Sequence, residues 1–306
     1  MHFFVFGHGY SAGHFVDTLD PHDVTGVTVR TADKASRLAA HHLKPFVFDG
    51  EHPTDGISPA LYRATHLLVS VPPGHAAPKS ASVGGANARP GDPVLRWYGD
   101  AIAHGCPKLE WIGYLSTVGV YGDHDGGWVD EDSETRPVSE RSKARIAAEV
   151  AWQEAAATRR GPLAILRLSG IYGPGRNGFV NLAKGTAKRL VKPGQVFNRI
   201  HVDDIAGALS LLAEQRLGGI YNVTDDEPAP PQDVVAHAAA MAGVAPPPEI
   251  PFDAAELSPM ARSFYGENKR VSNARIKEAG YRFRHPTYRE GLESVRADAA
   301  LIGGGS

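Results

Sequence analysis

Short apolar runs alternate with longer polar or alanine-rich stretches through the first 170 residues. The apolar runs predict buried strands, because they are brief and rich in β-branched and aromatic residues. These strands are expected at 2–6, 24–29, 45–48, 66–71, 109–113 and 163–168. The intervening stretches predict helices at 10–19, 33–42, 93–104 and 140–158, the second of them capped by Asp33. This alternation predicts an α/β fold, a Rossmann-type doubly wound parallel sheet covered on both faces.

The regular alternation fades beyond Gly170. One more strand is expected at 220–223, and proline-rich pieces interrupt a smaller region around it. A short helix at 272–279 would begin at Ser272 as its N-cap and stop at Gly280, and Pro286 would open a last helix. The predicted main domain covers 1–169, and 199–224 returns to it. A smaller C-terminal α/β lobe covers 170–198 and 225–300, and 301–306 form a flexible tail.

The segment 72–93 is rich in Gly, Pro, Ala and Ser and has no periodicity. Structureless segments of this length are uncommon inside a compact domain and often serve as lids. The other interpretation is a surface loop without a specific function.

A G-x-G-x-x-A pattern follows the first predicted strand directly. Gly7 would allow the tight turn, Gly9 would let the backbone approach a pyrophosphate, and Ala12 would let the helix pack closely on the strand. The helix that follows would turn its first N–H groups toward the phosphates, which adds Tyr10 and Ser11 to the candidate site. Its strand-turn-helix context indicates dinucleotide binding. The alternative is a glycine-rich turn in an α/β domain that binds nothing.

The end of the second strand predicts which dinucleotide is bound. Enzymes that use NAD usually offer an acid to the ribose 2′-hydroxyl about 20 residues past the glycines. This chain offers Arg30 there, and a guanidinium suits a 2′-phosphate. Lys34 and Arg37 follow and could add positive potential. The sequence therefore favours NADP over NAD, with Asp33 as the residue that would favour NAD if the strand ended slightly differently.

Composition narrows the class of partner. The 306 residues carry a formal net charge of −2, with a pI of about 6.7 and no basic block, so neither nucleic acid nor a membrane surface is an expected partner. One cysteine, Cys106, excludes an internal disulfide and reads as a small packed residue. The 14 histidines show no metal-ligand spacing, so no metal is expected. Without a leader or a long apolar run, a cytoplasmic location is expected.

Several further motifs resemble the extended short-chain dehydrogenase/reductase family, in its NAD(P)-dependent epimerase/dehydratase group. With the glycine turn, they spread the resemblance over nearly the whole chain. The motifs are the segments 114–122, 167–176, 199–205 and 221–223.

The resemblance implies roles for individual residues. Asp49 would contact the adenine, Ser70, Val71 and Pro72 belong to the turn lining the middle of the cofactor, and Thr117 would hold a substrate oxygen. Arg176 would grip the substrate, and His201 with Asp203 would organise the substrate lobe. Asp203 could instead simply cap the next helix. A homodimer is left open.

The catalytic pair of the family is replaced in this chain. Aligning Pro137 and Ser139 with the family's Pro-x-Ser-x-Tyr-x-x-x-Lys places Arg141 on the tyrosine and Arg145 on the lysine. A guanidinium has a pKa above about 12 and is no proton donor at neutral pH. The chain thus resembles an atypical subgroup that lacks the tyrosine. The candidate substitute donors are Tyr114, Tyr121, Tyr172 and Thr117, although a structural role is the favoured interpretation of each.

Two functions remain open at this point. The first is an NADP(H)-binding oxidoreductase or epimerase that acts on a small metabolite, with Arg141 and Arg145 clamping an anionic group from one face of a helix. The same two arginines could instead form a solvated basic face with Glu140 and Glu149. The second function is a non-catalytic NADP(H)-binding protein that senses redox state.

Overall fold

The computed structural model of the protein describes residues 1–74 and 91–302. Most of the 72–93 segment and the end of the tail lie outside the described residues. The strands are β1 (Phe3–Phe6), β2 (Val24–Val29), β3 (Pro45–Val47), β4 (His66–Val69), β5 (Trp111–Thr117), β6 (Trp128–Val129), β7 (Leu163–Leu168), β8 (Gly170–Tyr172), β9 (Arg189–Val191), β10 (Arg199–His201), β11 (Gly219–Val223), β12 (Glu249–Pro251) and β13 (Arg270–Val271).

The helices of the described residues fall between these strands. They are α1 (Tyr10–Val16), α2 (Ala32–Ala39), α3 (Ile57–Arg63), α4 (Pro93–Asp100), α5 (Glu140–Arg159), α6 (Gly178–Ala183), α7 (Val202–Glu214), α8 (Pro231–Met241), α9 (Pro259–Phe264), α10 (Ala274–Glu278) and α11 (Tyr288–Ser294). No helix of this described part is both long and apolar enough to cross a membrane.

Seven strands form one sheet in the order β11-β7-β5-β4-β1-β2-β3. The strand β1 lies between β4 and β2 and runs parallel to both, with Phe4 opposite Leu67 and Gly26. All four side chains of β1 are buried, as a strand covered on both faces requires. The sheet confirms the predicted Rossmann-type α/β fold. The strand order reverses direction between β1 and β4, and in such sheets this switch point is where ligands bind.

The described chain divides into two compact units. The first contains Met1–Val120, Ser139–Arg167 and Ala206–Tyr221. Its core includes the large aromatic and aliphatic side chains Phe4, Phe6, Ile57, Leu67, Tyr98, Tyr114 and Trp152. Asp92 is buried within it, where it accepts from two backbone N–H groups of α4 and from the Trp152 indole at 3.0 Å.

The second unit contains Tyr121–Val138, Leu168–Ile205 and the chain from Asn222 onward. It holds the parallel two-stranded pairs β8 with β10, β9 with β12 and β6 with β13, together with short helices. Residues 121–138, which the sequence placed with the main domain, lie in this unit. One of its cores packs Tyr172, Phe179, Tyr288 and Leu292.

Several helix starts differ from the sequence expectations, and at α2 and α11 the reason is that a neighbouring threonine makes the cap. Thr31 caps α2 by accepting from the Lys34 N–H at 3.3 Å, so Asp33 is not the cap. The helix α10 begins after Asn273 rather than at Ser272. The helix α11 begins after Thr287, not at Pro286, with a capping box between Thr287 and Glu290.

Candidate functional site

Five consecutive strand ends gather the predicted cofactor residues at one edge of the sheet. Gly7 follows β1, Arg30 follows β2, Asp49 comes shortly after β3, Ser70 follows β4, and Thr117 is the last residue of β5. Because these strands are parallel neighbours, their carboxyl ends share one edge. All five residues belong to the first unit. The sheet thus assembles one candidate site from residues up to 110 positions apart.

Gly7 makes the turn that joins β1 to α1. Its φ is +91°, a value that L side chains rarely adopt, and a Cβ there would lie 3.0 Å from Cγ2 of Val71. The Gly7 N–H donates to Oγ1 of Thr28 at 2.8 Å, and the His8 N–H donates to the Thr28 carbonyl at 2.8 Å. The turn is therefore tied to β2 on one side and lies against the chain after β4 on the other.

Gly9, two residues on, has different surroundings. A Cβ built on it would meet no atom of the described chain within 4 Å. Behind this open space Ala12 is fully buried, Ser11 is buried, and Tyr10 is half-buried. A backbone with free space in front and close packing behind fits the pyrophosphate of a dinucleotide.

Two cations stand beside the turn. Arg30 is exposed directly after β2, and the Lys34 ammonium donates to the carbonyl of His8 in the turn itself. Asp33 is exposed in the first turn of α2. Burial, together with the Lys34 charge, lowers the pKa of His8, so this imidazole is neutral. Positive charge therefore outweighs negative at this strand end.

The other predicted cofactor residues complete the edge. Asp49 is exposed, and its carboxylate accepts from the Glu51 N–H at 2.8 Å. The Ser70 N–H donates to the Phe6 carbonyl at 2.8 Å and continues the β1–β4 ladder. Val71 is half-buried against the turn and Pro72 is exposed.

Thr117 has a hydroxyl neighbour that sequence reasoning missed. Its Oγ1 accepts from the Gly119 N–H at 3.1 Å. Ser142, in the first turn of α5, is buried, and its Oγ lies 3.0 Å from Oγ of Ser139, the helix cap. A Cβ on Gly119 would be 3.2 Å from the Ser142 Oγ and 3.4 Å from the Thr117 Oγ1, so Gly119 keeps the two hydroxyls close. The only signal in the sequence is a serine next to the position where the family has its tyrosine.

The two arginines of α5 occupy different surroundings. Arg145 is half-buried, and its Nη1 donates to the Tyr114 hydroxyl at 3.0 Å and to the Leu115 carbonyl at 2.9 Å. Its guanidinium lies 5.5 Å from the centre of the Tyr114 ring. Arg141 is exposed one turn earlier. The two arginines therefore do not form one exposed pair. Arg145 holds the end of β5 in place, and Arg141 is the arginine that is accessible to a solute.

The alternative interpretation, a solvated face on α5 that includes Glu149, is wrong at Glu149. Its side chain is buried and forms an ion pair with Arg167 at 2.8 Å, and Ser116 donates a hydrogen bond to the same carboxylate. Arg167 stands in an otherwise apolar strand, so its charge needs a buried partner. A lone arginine in an apolar strand was therefore the feature of the sequence that could have predicted this ion pair. Glu140, by contrast, is exposed and pairs with Lys143.

The candidate proton donors are interior groups. Tyr114 is fully buried, and this burial raises the pKa of its phenol. Tyr121 is also fully buried and donates to Oδ1 of Asn222 at 2.7 Å. Burial likewise raises the pKa of Tyr172, whose hydroxyl finds no hydrogen-bond partner within the described residues. Thr117 is the half-buried hydroxyl of the four candidates.

The two predicted substrate residues lie in the second unit. Arg176 is exposed in a tight turn, where its backbone exchanges hydrogen bonds with Gly173 at 3.0 Å. His201 is buried at the end of β10, with Asp203 in the first turn of α7. The roles of both residues in substrate binding stay predictions.

The fold and this strand-end site define a Rossmann-type α/β protein with a glycine turn suited to a dinucleotide. Residues 101–224 match the model of the NAD-dependent epimerase/dehydratase family. This match agrees with the predicted resemblance to the epimerase/dehydratase group over that segment of the chain. The more specific assignment to a subgroup without the tyrosine stays a prediction.

Known proteins resemble the chain to different extents. It is 45% identical to a conserved protein of unknown function from Silicibacter pomeroyi, whose structure superposes with a TM-score of 0.82 over 97% of this chain and 99% of that one. It is 33% identical over 140 residues to the 3-diazoavenalumate denitrifying reductase of a Streptomyces species, which is 42% of this chain and 45% of the reductase. The match thus spans a little under half of that curated relative.

A more distant structure shows the same fold. MoeE5, solved in complex with UDP-glucose and NAD, is 19% identical and superposes with a TM-score of 0.71 over 98% of both chains.

Proposed function

We propose that the protein is an NADP(H)-dependent oxidoreductase or epimerase that acts on a small metabolite carrying a negative charge. The observation that carries the proposal is the glycine turn at the switch point of the sheet, with open space at Gly9 and two cations beside it. The match of residues 101–224 to an NAD-dependent family and the similarity to a reductase support the same class of chemistry.

The cations favour NADP over NAD. The exposed Arg30 guanidinium follows β2, where the 2′-substituent of an adenine ribose is held in dinucleotide-binding sheets. Lys34, anchored on the His8 carbonyl, adds a second positive charge to the same corner. A charge-assisted hydrogen bond to a phosphate contributes about 1.5–3 kcal/mol. Asp33 contributes one negative charge at this strand end, against the two positive charges of Arg30 and Lys34.

When bound, the nicotinamide supplies hydride transfer, and the residues of this chain supply binding and orientation. Gly7 would shape the turn, and Gly9 would let the backbone approach the pyrophosphate. Thr117 is oriented by the Gly119 N–H, which leaves its hydroxyl proton to be directed at a substrate oxygen. Arg145, through Tyr114 and Leu115, keeps the end of β5 and thus Thr117 in place.

Arg141 gives the proposal its substrate class. It occupies the position of the tyrosine that is the proton donor in the family, but a guanidinium with a pKa above about 12 keeps its proton. It can instead pair with a carboxylate or phosphate of the substrate. We therefore expect good substrates to be anionic, and neutral alcohols or ketones to be poor ones.

The cofactor assignment is tested by calorimetric titration with NADPH and NADH. The unaltered protein should bind NADPH about tenfold to hundredfold more tightly, and Arg30→Ala should lose most of that preference. Arg63→Ala removes an exposed arginine at the end of α3 and is the matched control. Tighter binding of NADH by the unaltered protein would overturn the preference and make Asp33 the residue to change next.

A non-catalytic NADP(H)-binding sensor is the second candidate, and the replacement of the tyrosine by Arg141 favours it. The two functions are separated by following the loss of NADPH absorbance with a panel of aldehydes and ketones, each with and without a carboxylate or phosphate group. Turnover of anionic members supports the enzyme. Tight NADPH binding without turnover of any member supports the sensor.

A further inference from the structure

Two histidines and an aspartate meet in the second unit, from chain segments that are far apart in sequence. The Asp203 carboxylate lies 3.5 Å from Nδ1 of His201 and 3.1 Å from Nε2 of His285, measured to the same oxygen. The three donor atoms lie within 4.8 Å of one another. The two imidazole ring centres are 4.1 Å apart. These are nitrogen and oxygen atoms of the kinds that ligate transition metals.

We propose that His201, Asp203 and His285 bind a divalent transition-metal ion, with zinc as the best match. Zinc bonds to nitrogen and carboxylate oxygen are about 2.0–2.2 Å long, so two ligands of a tetrahedral site are roughly 3.3–3.5 Å apart. The two carboxylate-to-nitrogen distances, 3.1 and 3.5 Å, are within about 0.2 Å of this spacing. Imidazole donors favour zinc or a similar transition metal over magnesium or calcium, which prefer oxygen ligands.

The protonation of His201 suits a metal ligand. The Asp203 backbone N–H donates to Nδ1 of His201 at 3.2 Å, so this nitrogen carries its lone pair. On binding, the ion would replace the Asp203 N–H as the partner of this lone pair. The other ring nitrogen, Nε2, lies 3.4 Å from Oγ of Ser294, a contact of the kind that orients ligating histidines.

His285 is held in place by the neighbouring acid, Asp204. The Asp204 carboxylate is fully buried and accepts from the N–H groups of Arg284 at 2.7 Å and of His285 at 3.1 Å. It also accepts from the Tyr281 hydroxyl at 2.8 Å. These bonds secure the segment before α11 against the start of α7, so His285 faces Asp203 without help from an ion. The fold itself therefore keeps His285 and Asp203 close together.

The environment allows an ion to enter. The side chain of His201 is 1% exposed, whereas those of His285 and Asp203 are 13% and 30% exposed. The proposed ligands thus range from a buried histidine to a partly exposed carboxylate. Three protein ligands leave a coordination position for water or for an anion. The sequence alone could not suggest this, because 82 residues separate Asp203 from His285.

The test uses the full-length protein after treatment with a chelator, titrated calorimetrically with zinc alone. The unaltered protein should bind one equivalent of zinc at a site that is distinctly tighter than its other, surface sites. His285→Ala and, separately, Asp203→Asn should weaken this binding by about tenfold or more. His104→Ala, which removes an exposed histidine of the first unit, should leave it unchanged. Circular dichroism of each variant shows whether the fold is retained.

Cobalt provides an independent measurement on the same variants. One equivalent should give visible absorption typical of a four-coordinate ion in the unaltered protein and in His104→Ala, but not in His285→Ala. The absence of stoichiometric binding, or equal binding by the unaltered protein and folded His285→Ala, would overturn the site and leave a hydrogen-bonded His–Asp–His cluster. No outcome depends on cofactor binding or turnover, so failure here does not affect the proposed function.

Discussion

Gly7 and Gly9 stand two positions apart in one turn, yet a side chain would have opposite effects at the two sites. At Gly7 a Cβ would press on Val71 in a backbone conformation that L residues rarely adopt. At Gly9 it would enter open space. The fold therefore requires the first glycine, whereas the second leaves open the space that the proposed dinucleotide would occupy.

This difference makes a testable pair of variants. Gly9→Val should retain the melting temperature of the unaltered protein but bind NADPH at least about tenfold more weakly, because the side chain fills the space that the pyrophosphate needs. Gly7→Val should instead lower the stability by about 1–3 kcal/mol, through strain in the turn. Thermal unfolding and calorimetry on both variants measure the two effects. Unchanged NADPH affinity in folded Gly9→Val would show that the dinucleotide binds elsewhere.

Arg141 carries the expectation about substrate charge. Arg141→Ala should raise KM for an anionic substrate sharply while NADPH affinity changes little, because the guanidinium pairs with the substrate and not with the cofactor. Arg141→Tyr should restore weak reduction of neutral carbonyls by reintroducing a phenol at this position. Steady-state kinetics with a matched anionic and neutral substrate pair provides the measurement. Equal KM values for Arg141→Ala and the unaltered protein would remove Arg141 from the site.

At the scale of elements, α5 is attached to the sheet by a buried charge pair as well as by apolar packing. Glu149 on the helix meets Arg167 on β7 and Ser116 on β5, so one carboxylate connects three elements. Removing one partner of such a pair leaves an uncompensated buried charge, which commonly costs about 3–5 kcal/mol.

We therefore expect Glu149→Ala to lower the free energy of unfolding by about 3–5 kcal/mol in urea denaturation. Glu140→Ala, on the same helix but exposed, should change it by no more than about 1 kcal/mol. A double variant, Glu149→Leu with Arg167→Met, should recover much of the loss, because neither charge is then left unpaired. Similar small effects for Glu149→Ala and Glu140→Ala would mean that the pair does not secure α5.

At the scale of the whole molecule, Asp225 connects stability to pH. Burial raises the pKa of its carboxyl from 3.8 to about 8. Between these two values the folded protein keeps a proton that the unfolded chain has released, so raising the pH favours unfolding. The contribution of this group to stability should fall from about pH 4 to about pH 8 and then level off.

Asp225→Asn should remove this part of the pH dependence, because an amide resembles the protonated carboxyl and does not titrate. The free energy of unfolding of the variant should exceed that of the unaltered protein increasingly toward pH 8. Asp253→Asn, at an exposed acid of the same unit, should leave the profile unchanged. Parallel pH profiles for the unaltered protein and Asp225→Asn would contradict the assignment of this carboxyl.

Much of the candidate site was predictable because it is local in sequence. The glycine turn and Arg30 follow directly from strand ends, and parallel strands bring their carboxyl ends to one edge whatever the loops contain. The helix caps were less predictable, since Thr31 and Thr287 compete with nearby residues of similar capping ability. Ser142 was missed because its hydroxyl lies close to Gly119, a residue from a separate part of the chain.

The strand-helix alternation, the glycine turn and the arginines of α5 were readable from the sequence, since each depends on residues that are adjacent or one turn apart. The folded structure was needed to show that Arg145 contacts Tyr114 while Arg141 stays exposed, that Glu149 is paired inside the protein, and that His285 meets Asp203. The physical reason is that periodicity specifies which face of an element is buried, whereas a hydrogen bond or ion pair requires a distance of about 3 Å between groups that only packing brings together.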